Sequence, residues 1–412
     1  MLILACLASH PVELTGALFS DDSHLMITCL RNLGFEIEAD EPNRSIRVSG
    51  TGGKITADKA ELYVGVAGTA ARFLTAFSAT REGGTYLIDG TEQMRKRPMK
   101  GLLDALVQQG TQVESTEGFL PATLSTSGLP GGRIQLDASA STQLLSALLM
   151  VAPLAKSDLE IEVSGNAEKK PFVKLTQELM YRFGQPEQTV QAGRANTAAI
   201  IVKAGIPYNI PVKVAIEPDA SAASYFLSLP LVVGGHVTVK GLHSDSLQGD
   251  YHYTKALKEV GMAVEEDEKG TTTSIDVKEL PGTSIQKNFW PISDTFMTLA
   301  AIAPVLKGVT KISGISHTRL QESDRIAAMA SELIKLGQWV EDGDDFLEIQ
   351  PGLLVPSEVH TYEDHRIAMS FGILGCFNLY ADGSPWLTIR DPGCCAKTFP
   401  EFFMVLKDLR TS

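Results

Sequence analysis

The 412-residue chain lacks any apolar run near the ~18 residues that a membrane-spanning helix needs, which argues against an integral membrane protein. It is short of positive charge. With 36 Lys and Arg against 49 Asp and Glu the net charge is −13, so a nucleic-acid-binding footprint is not expected. Cysteine is scarce and odd in number, at Cys6, Cys29, Cys376, Cys394 and Cys395. None forms a C-x-x-C pair or a metal-like Cys/His cluster, so they read as reduced thiols of a cytoplasmic protein, with no metal site expected. No basic residue precedes the apolar start Met1-Leu-Ile-Leu-Ala-Cys-Leu-Ala8. Despite its likeness to a signal peptide with a lipoprotein-type cysteine, this segment therefore reads as a buried helix. What is present is an ordinary globular balance, 44% hydrophobic and 21% charged, which rules out a disordered or fibrous chain. Cores stop growing at about 250–300 residues, so two domains are expected.

The chain carries an internal period. A helical segment ending in glycine occurs five times, as Leu30-Arg-Asn-Leu-Gly34, Leu106-Val-Gln-Gln-Gly110, Met180-Tyr-Arg-Phe-Gly184, Leu257-Lys-Glu-Val-Gly261 and Leu333-Ile-Lys-Leu-Gly337. The glycines are 76, 74, 77 and 76 residues apart. Glycine just past an apolar-periodic helix is a left-handed stop signal, and the residues after it look like strand starts. A sixth copy falls at Leu406-Lys-Asp-Leu409. Within each interval a second short strand, such as Ser45-Ile-Arg-Val48, precedes a very apolar helix with a polar or small-residue start. A further strand and the glycine-terminated helix complete the unit. The reading is an α/β chain of six βαβαβ-like repeats, three per domain, with an N-terminal domain over 1–211 and a C-terminal domain over 212–412. The first repeat opens at Met1 already inside its apolar helix, and no strand follows the sixth helix. A gap is expected at both ends of the repeat.

The helix starts carry the chemistry. Helix N-termini expose unpaired N–H groups and a positive dipole end, so several converging on one cleft form an anion site. Here they also carry cations: Arg72 after Gly68-Thr69, the run Met94-Arg-Lys-Arg97 before a Pro98 that suits the first helical position, Asp324-Arg325, His365-Arg366 and Lys397. An acidic protein that concentrates basic residues there is expected to collect a phosphate or carboxylate ligand. Each residue also has a plainer reading. Arg72, Arg97, Arg325 and Arg366 suit surface pairs, Asp294, Glu322 and Asp324 suit N-caps or first-turn acids, and His365 suits a structural histidine. Ser141, Thr142 and Asp219 are good caps. Gly65-Val-Ala-Gly68 is a weak phosphate motif without the Lys-Ser/Thr of a P-loop. What favours function is recurrence of such starts at equivalent places in the repeats.

Taken jointly, Gly65-Val-Ala-Gly-Thr-Ala-Ala-Arg72, Met94-Arg-Lys-Arg-Pro98, Ser141-Thr-Gln-Leu-Leu-Ser146, Asp219-Ala-Ser-Ala-Ala-Ser-Tyr225, Arg319-Leu-Gln-Glu-Ser-Asp-Arg325, Asp364-His-Arg366 and Ala396-Lys-Thr-Phe-Pro400 resemble the signatures of the 5-enolpyruvylshikimate-3-phosphate synthase family. The resemblance runs in order along the whole chain. It implies a two-domain inside-out α/β barrel of six units. It also implies transfer of the enolpyruvyl group of phosphoenolpyruvate to the 5-hydroxyl of shikimate 3-phosphate, in the shikimate pathway of aromatic amino-acid (chorismate) biosynthesis. No cofactor is implied, and the protein is expected to be a cytoplasmic monomer without nucleic-acid or membrane partners. By motif match, Gly68, Arg97, Gln143, Arg325, Arg366 and Lys397 resemble the phosphoenolpyruvate set, with Thr69 and Arg72 supporting. Ser141, Thr142, Gln143, Lys169, Asp294, His317 and Gln321 resemble the acceptor set. Asp294 resembles the general base and Glu322 a proton-transfer partner, with Lys397 and His365 as further catalytic candidates.

The chain departs from the family pattern at several points. The Lys-Ser-x-Ser-Asn-Arg start has no counterpart before Met1, Val66 stands where Asn is expected, and Lys169 replaces a Ser. Gln321 replaces a Lys, and His317 an Asn. These departures keep two alternatives open: a transferase with a different acceptor, and a catalytically silent paralogue that binds an anion.

Overall fold

The computed structural model describes residues 1–139, 141–164, 171–193, 198–275 and 284–411. The chain divides into two compact units, Met1–Ile216 and Glu217–Ser412.

In the first unit, the opening repeat runs α1 (Leu2–Leu7), β1 (Pro11–Thr15), α2 (Asp21–Asn32), β2 (Ile37–Asp40) and β3 (Ser45–Ser49). The second runs β4 (Lys59–Tyr63), α3 (Gly68–Ser78), β5 (Glu82–Asp89), α4 (Glu92–Arg95), α5 (Lys100–Gln108), β6 (Gln112–Ser115) and β7 (Ala122–Ser127). The third runs β8 (Gly132–Asp137), α6 (Gln143–Val151), β9 (Leu159–Ser164), α7 (Pro171–Arg182), β10 (Thr189–Ala192) and β11 (Ala198–Val202), and β12 (Lys213–Ala215) ends the unit.

Its sheets share one topology: β4-β5-β7-β6, β8-β9-β11-β10 and β12-β1-β3-β2. The first pair in each is parallel and the others antiparallel. In the second and third repeats the parallel pair is bridged by the apolar helix, as a parallel connection requires. In the first repeat the parallel partner of β1 is instead β12, with Glu13 opposite Lys213 and an ion pair between them at 3.1 Å. The first sheet is thereby four-stranded like its neighbours. Because β12 pairs here, the unit runs to Ile216, beyond the boundary expected at 211.

The apolar helices lie inside. Every residue from Leu144 to Val151 in α6 is buried, and α1 is buried from Ile3 to Leu7, as its reading as a buried helix anticipates. A helix apolar on all sides has to be enclosed. Strands such as β7 and β8, by contrast, alternate buried and exposed residues, turning one face to the helices and the other to solvent. Helices within and sheets without is the inside-out arrangement.

The second unit repeats the alternation of strands and buried helices, with sheets of three, four and two strands among the described residues. Its elements are α8 (Ala220–Val233), β13 (Gly235–Lys240), α9 (Tyr253–Glu259), β14 (Ala263–Asp267) and β15 (Gly270–Ile275). Then come β16 (Ile285–Asn288), α10 (Phe296–Ile302), β17 (Thr310–Ser313), α11 (Arg325–Lys335), β18 (Trp339–Gly343) and β19 (Phe346–Gln350). The last are β20 (Ser357–Val359), α12 (His365–Leu374), β21 (Leu387–Ile389) and α13 (Phe402–Thr411), the last of which contains the sixth helical copy. The buried helices α8, α10 and α12 pack on one another.

The period glycines stop the helices as anticipated. Gly34, Gly110, Gly184, Gly261 and Gly337 have φ between 84° and 98°. After each, the next residue donates its N–H back into the helix: Phe35 to Leu30, Thr111 to Leu106, Gln185 to Met180, Met262 to Leu257 and Gln338 to Leu333. This is the Schellman stop, which only a residue content with positive φ makes cheaply.

Candidate active site

In the second unit the starts of α8, α10, α11 and α12 come together through their side chains. Asp294 lies near the end of the 3₁₀ turn before α10, Arg325 opens α11, Arg366 lies in the first turn of α12 and Tyr225 in the second turn of α8. The Asp364 carboxylate accepts from Arg325 Nε at 2.8 Å and Nη2 at 3.3 Å. Arg325 Nη2 also donates to Glu322 at 2.9 Å, and Nη1 to Asp294 at 3.3 Å and to Gln321. Arg366 Nη2 donates to the other oxygen of Asp294 at 3.0 Å, and Nη1 to Tyr225 Oη at 3.4 Å. Lys397 Nζ stands 3.3 Å from Glu322. Three cations, Arg325, Arg366 and Lys397, thus interlock with three carboxylates, Asp294, Glu322 and Asp364.

Burial makes these charges depend on one another. Burial alone would push the Asp294 carboxyl up, but Arg366 and then Arg325 hold it below the ordinary carboxylate range. The same carboxylates, working against burial, keep both guanidiniums charged. His365 is pushed well below the ordinary imidazole range, first by burial and then by Lys397 and Arg366, and is neutral. Its Nδ1 has no hydrogen-bond partner among the described residues, and the nearest Asp364 oxygen stands at 3.6 Å. Behind this cluster lies Asp250, buried and hydrogen-bonded by Ser221. Burial first, and then the Asp294 charge, raise its pKa to about 7.

The plainer readings of the acids separate here. Asp219, Asp324 and Asp364 are N-caps, accepting from the N–H groups of Ala222, Ala327 and Arg366. Asp294 and Glu322 instead face the guanidiniums. The chain reaches α12 through Tyr362 and Glu363, whose φ values of 54° and 57° are left-handed, a conformation costing such residues about 1–3 kcal/mol each. His317 Nε2 meets Ser293 Oγ at 2.8 Å, next to Asp294, and Gln321 Nε2 reaches Asp294 at 3.5 Å.

In the first unit the loop before α3 forms a second cationic site. A Cβ at Gly68 would stand 2.5 Å from Arg72 Nη1 and 2.6 Å from Arg97 Nη1, so both guanidiniums lie on bare backbone. Buried Arg72 donates to the Gly68 carbonyl at 3.0 Å and to that of Pro98 at 3.1 Å, which ties the glycine loop to the Arg97 segment. Arg97 Nη1 donates to the Val66 carbonyl at 3.3 Å, a contact that does not depend on the side chain at 66. Gln143 Nε2 donates to Thr69 Oγ1 at 3.1 Å and joins α6 to α3.

Two expectations about local structure need correcting. Thr142 makes no side-chain cap on α6, while Ser141 Oγ accepts from the Gln143 N–H at 3.3 Å. Pro98 does not open a helix. Thr91 caps the separate turn α4, which takes in Arg95, and α5 begins only at Lys100. Arg95 is then paired with Asp89 at 2.6 Å and leaves the cationic run. Lys169 lies outside the described residues.

The structure adds residues to the set. Asp364 and Tyr225 stood inside recognisable motifs without a role; Asp364 orients Arg325, and Tyr225 supports Arg366. Asp250 gave no sequence signal, since a lone acid in Gln248-Gly-Asp-Tyr251 looks like a surface turn until packing buries it.

Comparison with known proteins finds relatives of one kind along nearly the whole chain. A family described as EPSP synthase (3-phosphoshikimate 1-carboxyvinyltransferase) matches residues 1–406. A 3-phosphoshikimate 1-carboxyvinyltransferase of Opitutus terrae is 50% identical over 415 residues, covering 99% of this chain and 91% of the relative. One from Nostoc punctiforme is 40% identical over 98% of this chain and 91% of its own. A chloroplastic one from Brassica napus is 38% identical over 99% and 80% respectively. A solved EPSP synthase from Acinetobacter baumannii superposes with a TM-score of 0.76 over 98% of this chain and 91% of that one. Its 23% identity speaks for the fold alone.

Proposed function

The chain belongs to the EPSP synthase (3-phosphoshikimate 1-carboxyvinyltransferase) family, and from that premise we propose which of its residues carry the reaction. The reaction moves the enolpyruvyl group of phosphoenolpyruvate to the 5-hydroxyl of shikimate 3-phosphate and releases inorganic phosphate. Relatives of one name at 38% to 50% identity support this reaction over the different-acceptor transferase that Val66, Lys169 and Gln321 had kept open, and over the silent paralogue.

One observation supports the residue assignment most. Asp294 is held between Arg325 and Arg366 at 3.3 and 3.0 Å, with one oxygen to each. The two guanidiniums are thus aimed at a single point and kept neutralised by a carboxylate that a substrate anion replaces. When the phosphate or carboxylate of phosphoenolpyruvate takes the guanidiniums, Asp294 loses the charges that depress its pKa. It becomes a better base for the acceptor hydroxyl proton. Addition of that hydroxyl across the enol double bond requires a proton at the methylene carbon, and loss of phosphate requires one to leave it. Glu322, joined to Lys397, is placed as this proton partner. The cations of the cluster offset charge on the tetrahedral intermediate, and His365 acts in its neutral form. In the first unit, Gly68, Arg97 and Gln143 are assigned to phosphoenolpyruvate and Ser141, Thr142 and Gln143 to the acceptor. Lys169, His317 and Gln321 complete the acceptor set.

Phosphate release from phosphoenolpyruvate and shikimate 3-phosphate tests both layers. The wild-type chain is expected to release phosphate only when both are present, and release with a different acceptor alone overturns the acceptor. Asp294→Asn is expected to lower kcat by at least about a hundredfold, the scale of lost acid–base catalysis. Near-normal turnover in that variant removes Asp294 from the role of base.

A further inference from the structure

Glu332 lies on α11 seven residues, hence about two turns, after Arg325, so the two side chains leave the same side of the helix. It is fully buried. A carboxylate is not taken out of water without partners, and two of its partners come from the segment that leads into α12. Tyr362 Oη donates to one carboxylate oxygen at 2.7 Å, and the His360 backbone N–H donates to the other at 3.1 Å. Lys335, one turn further along α11, pairs with the latter oxygen.

That segment requires holding. Tyr362 and Glu363 are consecutive left-handed residues, and neither is the glycine or asparagine that tolerates such a backbone. Such a conformation persists only where its surroundings over-determine it. Directly after it, Asp364 accepts from the Arg366 N–H at 3.0 Å while gripping the Arg325 guanidinium. Helix α11 therefore fastens the segment at two points, at Asp364 through Arg325 and at Tyr362 and His360 through Glu332.

We propose that Glu332 and Tyr362 are positioning residues for Arg366: their hydrogen bond holds the left-handed turn that sets the start of α12 and aims the Arg366 guanidinium at phosphoenolpyruvate. The proposal rests on the binding role given above to Arg366 and extends it to two residues outside the ion-pair cluster.

Tyr362→Phe removes one oxygen from a half-exposed side chain and leaves the fold intact. It is expected to raise KM for phosphoenolpyruvate about tenfold, because a misplaced binding group loses affinity. Glu332→Gln is expected to act in the same direction. Adding Glu363→Asn to Tyr362→Phe is expected to restore much of the lost affinity, because asparagine accepts the left-handed backbone without the anchor. Unchanged KM in both single variants overturns the proposal, and so does a loss that Glu363→Asn leaves untouched. Arg366→Lys separates the two layers. A normal KM there sinks the binding role of Arg366 and this proposal with it, whereas a raised KM there with none in Tyr362→Phe sinks the positioning role alone.

Discussion

Residues of one type turn out to hold unlike positions. Arg325 spends its donors on Asp364, Asp294, Glu322 and Gln321 and is almost wholly buried, whereas Arg366 has one carboxylate partner and a tyrosine. As sequence letters after helix starts they looked alike. Asp250 shows the energetic side of the same contrast. Its folded pKa of about 7 lies above the ordinary carboxylate value, so between the two the native state keeps a proton that the unfolded chain has released. Its contribution to stability is therefore fully present below about pH 4 and is lost as pH rises to about 7. Asp250→Asn, which keeps a partner for Ser221 but has no charge, escapes that loss. Relative to wild type, the variant is expected to gain on the order of 2 kcal/mol in unfolding free energy between pH 5 and pH 8. Urea unfolding at the two pH values measures it. The same difference at both means that Asp250 is charged throughout.

At the scale of elements, the helix stops were the most legible feature of the chain. A Schellman stop involves a handful of neighbouring residues, so glycine after an apolar-periodic stretch determines it almost alone. Caps were less legible. Thr142 stands at the cap of α6 without a side-chain bond, which Ser141 makes to Gln143 instead, and Pro98 stands outside any helix because Thr91 starts a shorter one upstream. The stops also differ in ways their local sequence hides. At Gly110, with φ of 87°, an added Cβ would meet the movable Ser127 hydroxyl at 3.1 Å. At Gly337, with φ of 84°, it would meet the fixed Leu353 carbonyl at 2.6 Å. Gly110→Ala is expected to cost about 1–2 kcal/mol, the strain of the left-handed backbone. Gly337→Ala is expected to cost clearly more. Equal losses in denaturant unfolding would show that the carbonyl yields and that backbone angle accounts for the whole cost.

For the whole molecule, the period foretold six α/β units and the family resemblance implied their inside-out arrangement, yet neither showed which strand completes the first sheet. Strand β12 is separated from β1 by nearly the entire unit and has only three residues, with no pattern that marks it. Its partner is held by the Glu13–Lys213 pair and by backbone bonds from Glu13 to Val212 at 2.7 Å and from Ile216 to Thr15 at 2.8 Å. A fragment of residues 1–216 is therefore expected to unfold at higher urea than one of residues 1–211, in which β1 becomes an unpaired edge. Identical midpoints would show that the strand contributes nothing to the first unit.

The amino-acid order by itself settled where helices end, how the repeat is phased and which motifs carry cations, because backbone conformation and apolar periodicity act over a few neighbouring residues. Tertiary structure alone decided that Asp294 divides its oxygens between two arginines, that Asp250 loses its solvent, and that Glu332 reaches the turn before α12. Coulomb energy and desolvation depend on which distant groups share a place, and that is known only once the chain has folded.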